Sequence, residues 1–578
     1  MNITILSGGS GNDSLVTGLK QYYPAANIKV IVNAYDNGKS TGVCRAVTNT
    51  LGVSDIRKNH IRMYKACNSN PDARLVEFYD NRYDLKARYE YEDIVTYLDN
   101  WGLSELKVYA RHFFDNPLAK NYTYKNFSIA NIIYSQMYQE LGYEQTNSFF
   151  CKLLGLDDFV ILNSFDNVFI SARTKSGKII SDEGEIVDYN NPDDIIMDII
   201  YTNDTSYTIS TGQDSPVPTL YGLNPKAIDA VMTADLIIIS TGTFWSSIYP
   251  TLDYMDFYKY INASNAKKIW AINNEEDGDS YGVTSNQFIE FLNNLRIDLS
   301  QFSILENFDA NPSLVQQNDN YNIVVYPMGN VKGKHIGERY VKAILKIFYD
   351  LKPLSDYDKI IFDFDDTLWS RNEDLLEISI DNIKRLNNLK EKALIVSGNS
   401  YKSIKNKLSR IYGSGLDAFD IYIWADANST LFKNNNPINY AEDLLIDKKY
   451  INDIIKFLHS LDMSDFEIND KDHPAYIKIK PLSELERTLL VALVDTKFSD
   501  YAIKAMKTGY TTVDIISKNN TKGKLFTDVI DPNKELNTLY LGDEIDSGND
   551  KDISKLCSQC IRVASVKDTN IILKLLED

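Results

Sequence analysis

Short apolar runs that end in polar loops recur along the whole chain, and they constrain its fold more than any other feature. Runs of this length, separated by helix-like spacing of apolar residues, are typical of buried strands in an α/β protein. The strand-like runs are 3–6, 28–32, 159–162, 168–172, 236–240, 268–272, 321–325, 359–362, 393–396, 421–424, 512–516 and 538–541. Their alternation with helices predicts two Rossmann-like domains with mostly parallel sheets.

The 578-residue length predicts more than one domain. We place the boundary near Pro353, where polar residues separate a helix-like pattern from a new apolar strand. The first domain then covers residues 1–350, with a helical segment at about 72–155, and the second covers 356–578. Helices and strands mix between about 429 and 510, which predicts an α/β cap inserted into the second domain.

The charge balance argues against polyanionic partners. Lys and Arg number 61 and Asp and Glu number 80, so the formal net charge of −19 repels nucleic acids and anionic membranes. The chain starts without a basic region followed by a long apolar stretch, and no segment approaches the roughly 20 apolar residues of a membrane span. We therefore expect a cytoplasmic protein with no nucleic-acid or membrane partner. The pair Cys557 and Cys560 stands without a second pair and indicates a helix face rather than a metal or redox site.

Two carboxylates, Asp363 and Asp365, directly follow the strand-like run 359–362. The carboxyl ends of parallel strands line the crevice of an open sheet, so both side chains can reach a site there. One carboxylate can attack phosphorus and form an aspartyl-phosphate, while the other protonates the leaving group and later activates water. The simpler alternative is an acidic turn after a buried strand.

Three later segments supply the remaining parts of a phosphate-transfer site. Ser397 follows the next strand and offers a hydroxyl group near a helix start for phosphate oxygens. Lys522 offers a cation, and residues 541–550 follow another strand with a cluster of carboxylates. Because no Cys or His accompanies these oxygen ligands, Mg²⁺ is the expected cation.

With these segments in this order, residues 356–578 resemble the haloacid dehalogenase superfamily, specifically its members with an α/β cap. The resemblance implies Asp363 as nucleophile, Asp365 as acid/base, and Ser397 and Lys522 as phosphate ligands. It also implies a metal-binding site, to which we assign Asp363, Asp365 and Asp543. Either Asp546 or Asp550 would be the second acidic residue that supports this site. In the cap, Lys478 and Lys480 could touch a second anionic group, although a solvated strand face is the preferred interpretation.

A glycine-rich loop follows the first strand and precedes a helix, where backbone N–H groups can approach a phosphate. The loop contains Gly8, Gly9, Ser10 and Gly11. The next strand ends in a loop that combines acids, hydroxyls and cations, among them Asp36, Lys39, Ser40 and Arg45, and Asp55 follows soon after. Both loops would face the same crevice of a parallel sheet, and the alternative is a polar surface loop.

These motifs resemble the family that contains 2-phospho-L-lactate transferase and the gluconeogenesis factors, over roughly residues 1–345. The resemblance implies a nucleotide-diphosphate ligand. Asp36 and Asp55 would then bind Mg²⁺ or activate an acceptor, and Lys39 and Arg45 would balance the diphosphate charge. The further ligand-binding residues are Ser40, Asn131 and Asn224 and, in the segment 239–250 that matches the family's second phosphate loop, Gly242, Thr243 and Ser246. Glu185 matches a family Gly-Glu region, and His335 is either a family histidine or a structural one.

The two resemblances together lead us to expect a bifunctional cytoplasmic enzyme. Its first domain would use a nucleotide-diphosphate-linked donor, and its second would remove phosphate from a small metabolite with Mg²⁺. The alternative is a nucleotide-sugar sensor that controls the fused phosphatase, and a scaffold without a ligand is a third hypothesis. We expect small-molecule partners and allow for a homodimer.

Overall fold

The computed structural model describes residues 1–9, 11–24, 26–85, 90–181, 183–202, 222–275, 277–283, 285–309, 321–331, 333–413, 415, 419–480, 482–508, 511–546 and 550–577. They form two compact units, Met1–Phe348 and Tyr349–Asp578. Ser10, one of the predicted ligand-binding residues, lies outside the described residues. Among the helices in these ranges, none has the length and apolar character needed to cross a bilayer.

The first unit contains ten strands and fourteen α-helices within the described ranges. The strands are β1 Asn2–Leu6, β2 Asn27–Val32, β3 Val160–Leu162, β4 Phe169–Thr174, β5 Ile179–Ile180, β6 Ile196–Thr202, β7 Leu236–Ile239, β8 Lys267–Ala271, β9 Phe302–Asn307 and β10 Asn322–Tyr326. The helices are α1 Asp13–Tyr22, α2 Lys39–Thr48, α3 Ser54–Cys67, α4 Ala73–Asp80, α5 Glu90–Asn100, α6 Lys107–Asp115, α7 Ile129–Leu141, α8 Tyr143–Leu153, α9 Glu183–Val187, α10 Pro225–Met232, α11 Tyr249–Asp253, α12 Tyr258–Ala263, α13 Ser285–Asn294 and α14 Gly337–Phe348.

Seven of these strands form one parallel sheet in the order β10-β9-β8-β7-β1-β2-β3. The order reverses at β1, which pairs with β2 on one side and with β7 on the other. Loops at the carboxyl ends of these strands flank the topological switch point, where open α/β sheets bind ligands. The other three strands form a small antiparallel sheet, β5-β4-β6.

The second unit contains eleven strands and seven α-helices within the described ranges. The strands are β11 Lys359–Phe362, β12 Ala393–Val396, β13 Tyr422–Ala425, β14 Thr430–Lys433, β15 Asn436–Tyr440, β16 Phe466–Ile468, β17 Tyr476–Ile479, β18 Ile503–Thr508, β19 Thr512–Ser517, β20 Thr538–Gly542 and β21 Gln559–Arg562. The helices are α15 Leu376–Leu389, α16 Tyr401–Tyr412, α17 Lys448–Ser460, α18 Glu484–Lys497, α19 Lys522–Leu525, α20 Lys551–Ser554 and α21 Val566–Leu576.

The main sheet of this unit has the order β15-β14-β13-β12-β11-β20-β21, and β13, β12, β11, β20 and β21 are parallel. A separate antiparallel sheet, β16-β17-β19-β18, forms the cap together with α17 and α18, whose apolar faces pack on it. The predicted fold class, two α/β units of which the second carries an inserted α/β cap, is confirmed.

Three details differ from the sequence-based expectation. The run 512–516, which we assigned to the main sheet, is β19 of the cap, because it pairs antiparallel with β17 and β18. The hairpin β14–β15, which we placed in the cap, extends the main sheet. Cys560 lies in β21, so the two-cysteine pair does not form a helix face. An apolar run indicates a buried strand but does not specify its partner strand.

Candidate functional site

A buried ammonium group joins two carboxylates at the carboxyl edge of the second unit's main sheet. Asp363 follows β11, and Lys522 opens α19. The Lys522 Nζ donates to Asp363 Oδ1 and, over 2.6 Å, to Asp550 Oδ1. The Lys522 side chain is fully buried, so these two carboxylates provide the opposite charge that it needs inside the protein.

Asp543, which follows β20, completes a group of three carboxylates. Ligand oxygens of Asp363, Asp543 and Asp550 lie within 4.8 Å of one another. Burial raises the pKa of Asp363 to about 7, although Lys522 acts in the opposite direction, and burial also raises the pKa of Asp543. Three carboxylate oxygen donors crowded together fit a hard divalent cation such as Mg²⁺.

The other two predicted metal ligands lie outside this three-carboxylate group. The Asp365 carboxylate accepts from Lys407 Nζ at 2.6 Å and from Asn399 Nδ2 at 2.7 Å. Burial alone would raise the pKa of Asp365, but Lys407 and Asn399 outweigh it and hold that pKa below its ordinary value. Asp546 is 73% exposed in its side chain and pairs with Arg562 at 3.0 Å. Of the two alternatives for the second acidic support, the structure therefore brings only Asp550 to the group.

A cavity of about 480 Å³ opens over these residues. Ser397, at the end of β12, lines it together with Asp363, Lys522 and the other two carboxylates of the group. The four predicted phosphate-transfer segments thus reach one cavity, because β11, β12 and β20 are neighbours in one parallel sheet. Tyr540 in β20, which the sequence reasoning missed, donates from its hydroxyl to Asp550 Oδ1 at 2.7 Å.

The cap side of this cavity is formed by β18 and β19. Lys478 is not among the lining residues and lies 3.6 Å from Asp514, whereas Lys480 pairs with Glu467 at 3.5 Å. The cap cations that line the cavity are Lys504 and Lys507, which the sequence analysis did not select. Period-two spacing along 504–508 could have indicated Lys504, had the run been recognised as a strand, but Lys507 stands at an intervening position.

In the first unit, the glycine-rich loop after β1 packs closely against other residues of the chain. A Cβ on Gly11 would overlap the backbone carbonyl of Thr241, and a Cβ on Gly9 would overlap the carboxylate of Asp55. At Gly8 a Cβ would meet the side chain of Ser247 at 2.6 Å. Thr241 Oγ1 also donates to the Gly11 carbonyl at 2.7 Å. The loops after β1 and β7 therefore touch, as expected at a topological switch point.

This packing predicts that Gly11→Ala destabilises the protein by about 1–3 kcal/mol, because a methyl group must displace backbone atoms. Thermal and urea unfolding of the full chain measure the effect. Gly242→Ala is the matched control in the facing loop, since its Cβ would have no neighbour nearer than 3.6 Å. Equal stability of the two alanine variants would contradict the close approach at Gly11.

The predicted acids Asp36 and Asp55 meet in a second cavity, of about 210 Å³, that also holds Glu183. Lys58 Nζ lies 3.3 Å from Asp55 Oδ1, and Arg82 adds another cation. Burial, with the nearby Asp36 carboxylate, raises the pKa of Glu183 to about 9, and burial raises the pKa of Asp55. Glu183 therefore carries a proton at neutral pH, which lowers the repulsion among the acids.

Two predicted ligand-binding residues, Ser40 and Asn131, bind each other next to this cavity without lining it. Asn131 is fully buried; its Nδ2 donates to Ser40 Oγ at 3.0 Å and its Oδ1 accepts from Arg57 Nε at 2.8 Å. Thr41 Oγ1 donates to Asp36 Oδ2 at 3.0 Å. Because Ser40 and Asn131 do not line the cavity, their role is to hold the start of α2 in place beside Asp36. The Lys39 side chain lies outside the described residues.

Arg45 and Asn224 do not reach the cavity. Arg45 is 2% exposed, donates to Asn167 Oδ1 at 2.8 Å and to the Val168 carbonyl at 2.7 Å, and stacks on the Phe169 ring. The Arg45 guanidinium therefore binds groups inside the protein rather than a ligand in the cavity. Asn224 caps α10 and donates to the Leu162 carbonyl at 2.9 Å. The family resemblance had implied that both residues bind the ligand, but their donors and acceptors are satisfied by the protein.

The predicted second phosphate loop, after β7, contacts a carboxylate of the chain itself. Asp279 accepts from the backbone N–H groups of Trp245 at 2.9 Å and Ser246 at 3.2 Å. Burial raises the pKa of Asp279 to about 7. Thr243 and Ser246 still line the 210 Å³ cavity. The Gly242 N–H instead donates to Asn273 Oδ1 at 3.0 Å.

Two further expectations from the resemblance need correction or refinement. The acid that faces the cavity is Glu183, whereas Glu185 is exposed, because α9 begins at Glu183 and turns the two side chains apart. His335 is 4% exposed, and its Nε2 lies 3.0 Å from the Ile272 carbonyl oxygen. Burial lowers the pKa of His335 to about 4, which favours the structural interpretation.

Comparison with curated proteins finds similarity to gluconeogenesis factors over about half of the chain. The putative gluconeogenesis factor of Thermoanaerobacterium thermosulfurigenes is 23% identical over 299 residues, which cover 50% of this chain and 73% of that protein. The gluconeogenesis factor of Bacillus subtilis is 22% identical over 293 residues, covering 50% and 74%.

Two solved structures show partial similarity to the chain. A UPF0052-family protein of Bacillus halodurans is 17% identical, with a TM-score of 0.43, and the match covers 60% of this chain and 99% of that one. A haloacid dehalogenase-like hydrolase of Bacteroides thetaiotaomicron is 12% identical, with a TM-score of 0.28, covering 38% and 98%. The family model described as 2-phospho-L-lactate transferase CofD matches residues 3–323. Since this match spans more than half of the 578 residues, the chain belongs to the 2-phospho-L-lactate transferase CofD family.

Proposed function

We propose that the unit Tyr349–Asp578 is a Mg²⁺-dependent phosphatase for a small phosphorylated metabolite. The observation that supports this most is the convergence of Asp363, Lys522, Asp543 and Asp550 on one cavity with Ser397. A purely structural ion pair would not need a third carboxylate beside an open cavity. A cluster of buried groups with perturbed pKa values in a cleft is typical of a catalytic site.

The reaction follows from the placement of these side chains. Asp363 attacks phosphorus, the bond to the leaving oxygen breaks, and an aspartyl-phosphate forms. The Lys522 ammonium favours the charged form of Asp363, against the effect of burial, and balances the phosphate charge, while the Ser397 hydroxyl donates to a phosphate oxygen. Once the leaving group replaces Lys407 and Asn399, which hold the pKa of Asp365 low, Asp365 takes up a proton from solvent and donates it to the leaving oxygen. The Asp365 carboxylate then takes a proton from the attacking water, whose oxygen displaces Asp363 from phosphorus and releases phosphate.

A divalent ion held by Asp363, Asp543 and Asp550 would supply charge neutralisation for the phosphate oxygens. The experiment is to measure phosphate release by the full chain from a panel of phosphorylated metabolites with Mg²⁺. We expect activity with Mg²⁺ and its loss after chelation, with recovery when Mg²⁺ is added back. No release from any phosphomonoester would contradict the proposal.

For the first unit we propose a transferase that uses a nucleotide-diphosphate-linked donor, and family membership supports this. Lys58, Arg82 and Thr243 supply the cavity with groups that bind phosphate oxygens, and Asp36 and Asp55 supply oxygen ligands or a base. The cavity volume of 210 Å³ is below the roughly 300–1,000 Å³ of ordinary ligand pockets. It therefore suits the reacting end of the donor rather than the whole nucleotide.

Lys58→Met is expected to weaken binding of the nucleotide-diphosphate donor by about tenfold, because a charge-assisted hydrogen bond to phosphate is lost. Isothermal titration of the full chain with nucleoside diphosphate sugars measures the change. Lys65→Met on the same helix is the control, since Lys65 pairs with Asp80 and is not among the cavity residues. Equal affinities for the two variants would show that Lys58 does not contact the ligand.

The second hypothesis for this unit is a sensor that binds a nucleotide sugar and sets the phosphatase rate. The contact between Asp279 and the loop after β7 supports the sensor hypothesis, because the chain's own carboxylate occupies backbone N–H donors of the predicted phosphate loop. A ligand that raises thermal stability and changes the phosphatase rate without being consumed would support the sensor. Transfer of its group to an acceptor would support the enzyme.

A further inference from the structure

The outer face of α18 in the cap carries a stripe of leucine side chains. Leu485, Leu489 and Leu493 recur at every fourth position, so they lie on one face of the helix. Their exposed fractions are 78%, 58% and 37%. Another face of the same helix packs in the apolar core of the cap through Leu490 and Val494. Helix α18 therefore has an exposed apolar face in addition to its packed one, whereas a surface helix ordinarily exposes polar residues.

The other cap helix, α17, shows the ordinary pattern. It packs on the same sheet through Ile454 and Leu458. Its exposed residues are all polar or charged, namely Lys448, Lys449, Asn452, Asp453, Lys456, His459 and Ser460. The leucine stripe is thus a property of α18 and not of the cap as a whole. Exposed apolar side chains that lie side by side are unfavourable in water and are typical of a surface that binds another protein.

Charged residues of opposite sign stand near the two ends of the stripe. Glu486 lies in the first turn of α18, Lys497 is its last residue, and both are exposed. At about 100° per residue, the two side chains leave the helix on the same side of the stripe. Glu486 Oε2 accepts from the Ser483 N–H at 2.7 Å, and within the described part of the chain Lys497 makes no ion pair. This charge pattern is complementary to a second α18 that runs in the opposite direction.

A twofold axis midway between Leu489 and Leu493 brings these features together. Leu489 then lies opposite Leu493 of the second copy, and the symmetry repeats this contact on the other side of the axis. Glu486 comes level with the last turn of the second helix and reaches its Lys497, so the pair of helices forms two ion pairs. In a parallel arrangement, each charge would instead face its own copy and repel it.

We propose that α18 is the contact between two copies of this chain, which associate as an antiparallel pair about this twofold axis. The contact buries Leu489 and Leu493 of both copies, and Leu485 packs on the methylene groups of Lys497. A helix of 14 residues is about 21 Å long and about 10 Å wide, which covers less than the roughly 800 Å² per partner of a stable interface. We therefore expect a weak dimer, with a Kd on the order of 10–100 µM. Because α18 does not line the 480 Å³ cavity, the inference is independent of the proposed phosphatase function.

Sedimentation equilibrium of the full chain, from about 1 to 300 µM, measures this association. The average mass of the wild type should rise towards that of two chains. Leu489→Glu should raise the Kd at least about tenfold, because it places a charge at the centre of the contact. Asn452→Glu is the matched control, since it puts the same side chain on the exposed face of α17, and it should keep the wild-type Kd. A wild type that stays monomeric throughout, or an unchanged Kd in Leu489→Glu, would overturn the inference.

A charge reversal tests the orientation of the two helices. Lys497→Glu should raise the Kd by about fivefold, since both ion pairs become like-charge contacts. Adding Glu486→Lys should return the Kd to the wild-type value, and circular dichroism verifies that the double variant keeps its helices after losing the Glu486 bond to Ser483. No recovery in the folded double variant would refute the antiparallel pair. A lower melting temperature of dilute Leu489→Glu would show that the stripe is covered within one chain, which would also refute it.

Discussion

Asp363→Asn is expected to lower phosphate release by roughly a thousandfold or more. The carboxamide cannot form the aspartyl-phosphate, and it also removes one charge from the group formed with Asp543 and Asp550. Turnover of a nucleotide-diphosphate donor should be unchanged, because the residues proposed for it, Asp36 and Asp55, belong to the other compact unit. The measurement is a coupled phosphate assay beside a separate chromatographic assay of the nucleotide.

Asp546→Asn is the matched control for this prediction. It removes the same charge from the same unit, but Asp546 is exposed and pairs with Arg562 outside the three-carboxylate group. Its activity and its Mg²⁺ requirement should equal those of the wild type. Equal loss of phosphate release in the two variants would refute the special position of Asp363. Loss of both phosphate release and nucleotide turnover in Asp363→Asn would refute the independence of the two activities.

Lys522→Met has the second large expected effect, a decrease of about 3–5 kcal/mol in the free energy of unfolding together with loss of phosphatase activity. The Lys522 side chain is fully buried between Asp363 and Asp550, so its removal leaves two carboxylates buried without their cation. Replacing one partner of a buried pair is costly for this reason. Urea unfolding of the full chain, with both units observed, gives the free-energy change.

Two further variants test the cause of that loss. Lys524→Met on the same short helix should change stability by less than about 0.5 kcal/mol, because Lys524 is exposed and its pair with Asp528 is screened by solvent. Adding Asp550→Asn to Lys522→Met should recover part of the lost stability, since one of the unpaired charges disappears. A wild-type stability for Lys522→Met, or no recovery in the double variant, would contradict the assigned ion pair.

Several residues proposed for the phosphatase reaction were accessible to sequence reasoning because they stand directly after strands of one parallel sheet. Strand ends in such a sheet meet at one edge, so Asp363, Ser397 and Asp543 had to lie close together once the strands were recognised. Lys522 was predictable from its place in the order of motifs. Asp365 and Asp546 show the limit of this argument, since proximity in sequence did not bring their carboxylates to the metal group.

The first unit shows where a local motif is insufficient. Arg45 lies in the predicted phosphate segment, yet its guanidinium binds Asn167 and the Val168 carbonyl, more than a hundred residues later in the chain. Glu183 faces the cavity two residues before the expected Glu185, a difference that depends on where α9 begins. Lys58 was missed because nothing in its neighbourhood marks it until α3 is placed beside Asp55 and the glycine loop.

The sequence by itself determined the alternation of strands and helices, the two α/β units and the strand-end positions of the main carboxylates, because these depend on local periodicity and on the general geometry of parallel sheets. Only the tertiary structure decided whether each charged side chain faces a cavity or binds another part of the protein. Whether a cation binds a ligand, as proposed for Lys58, or a distant carbonyl, as for Arg45, depends on tertiary packing and burial. Those long-range contacts leave no local pattern in the sequence.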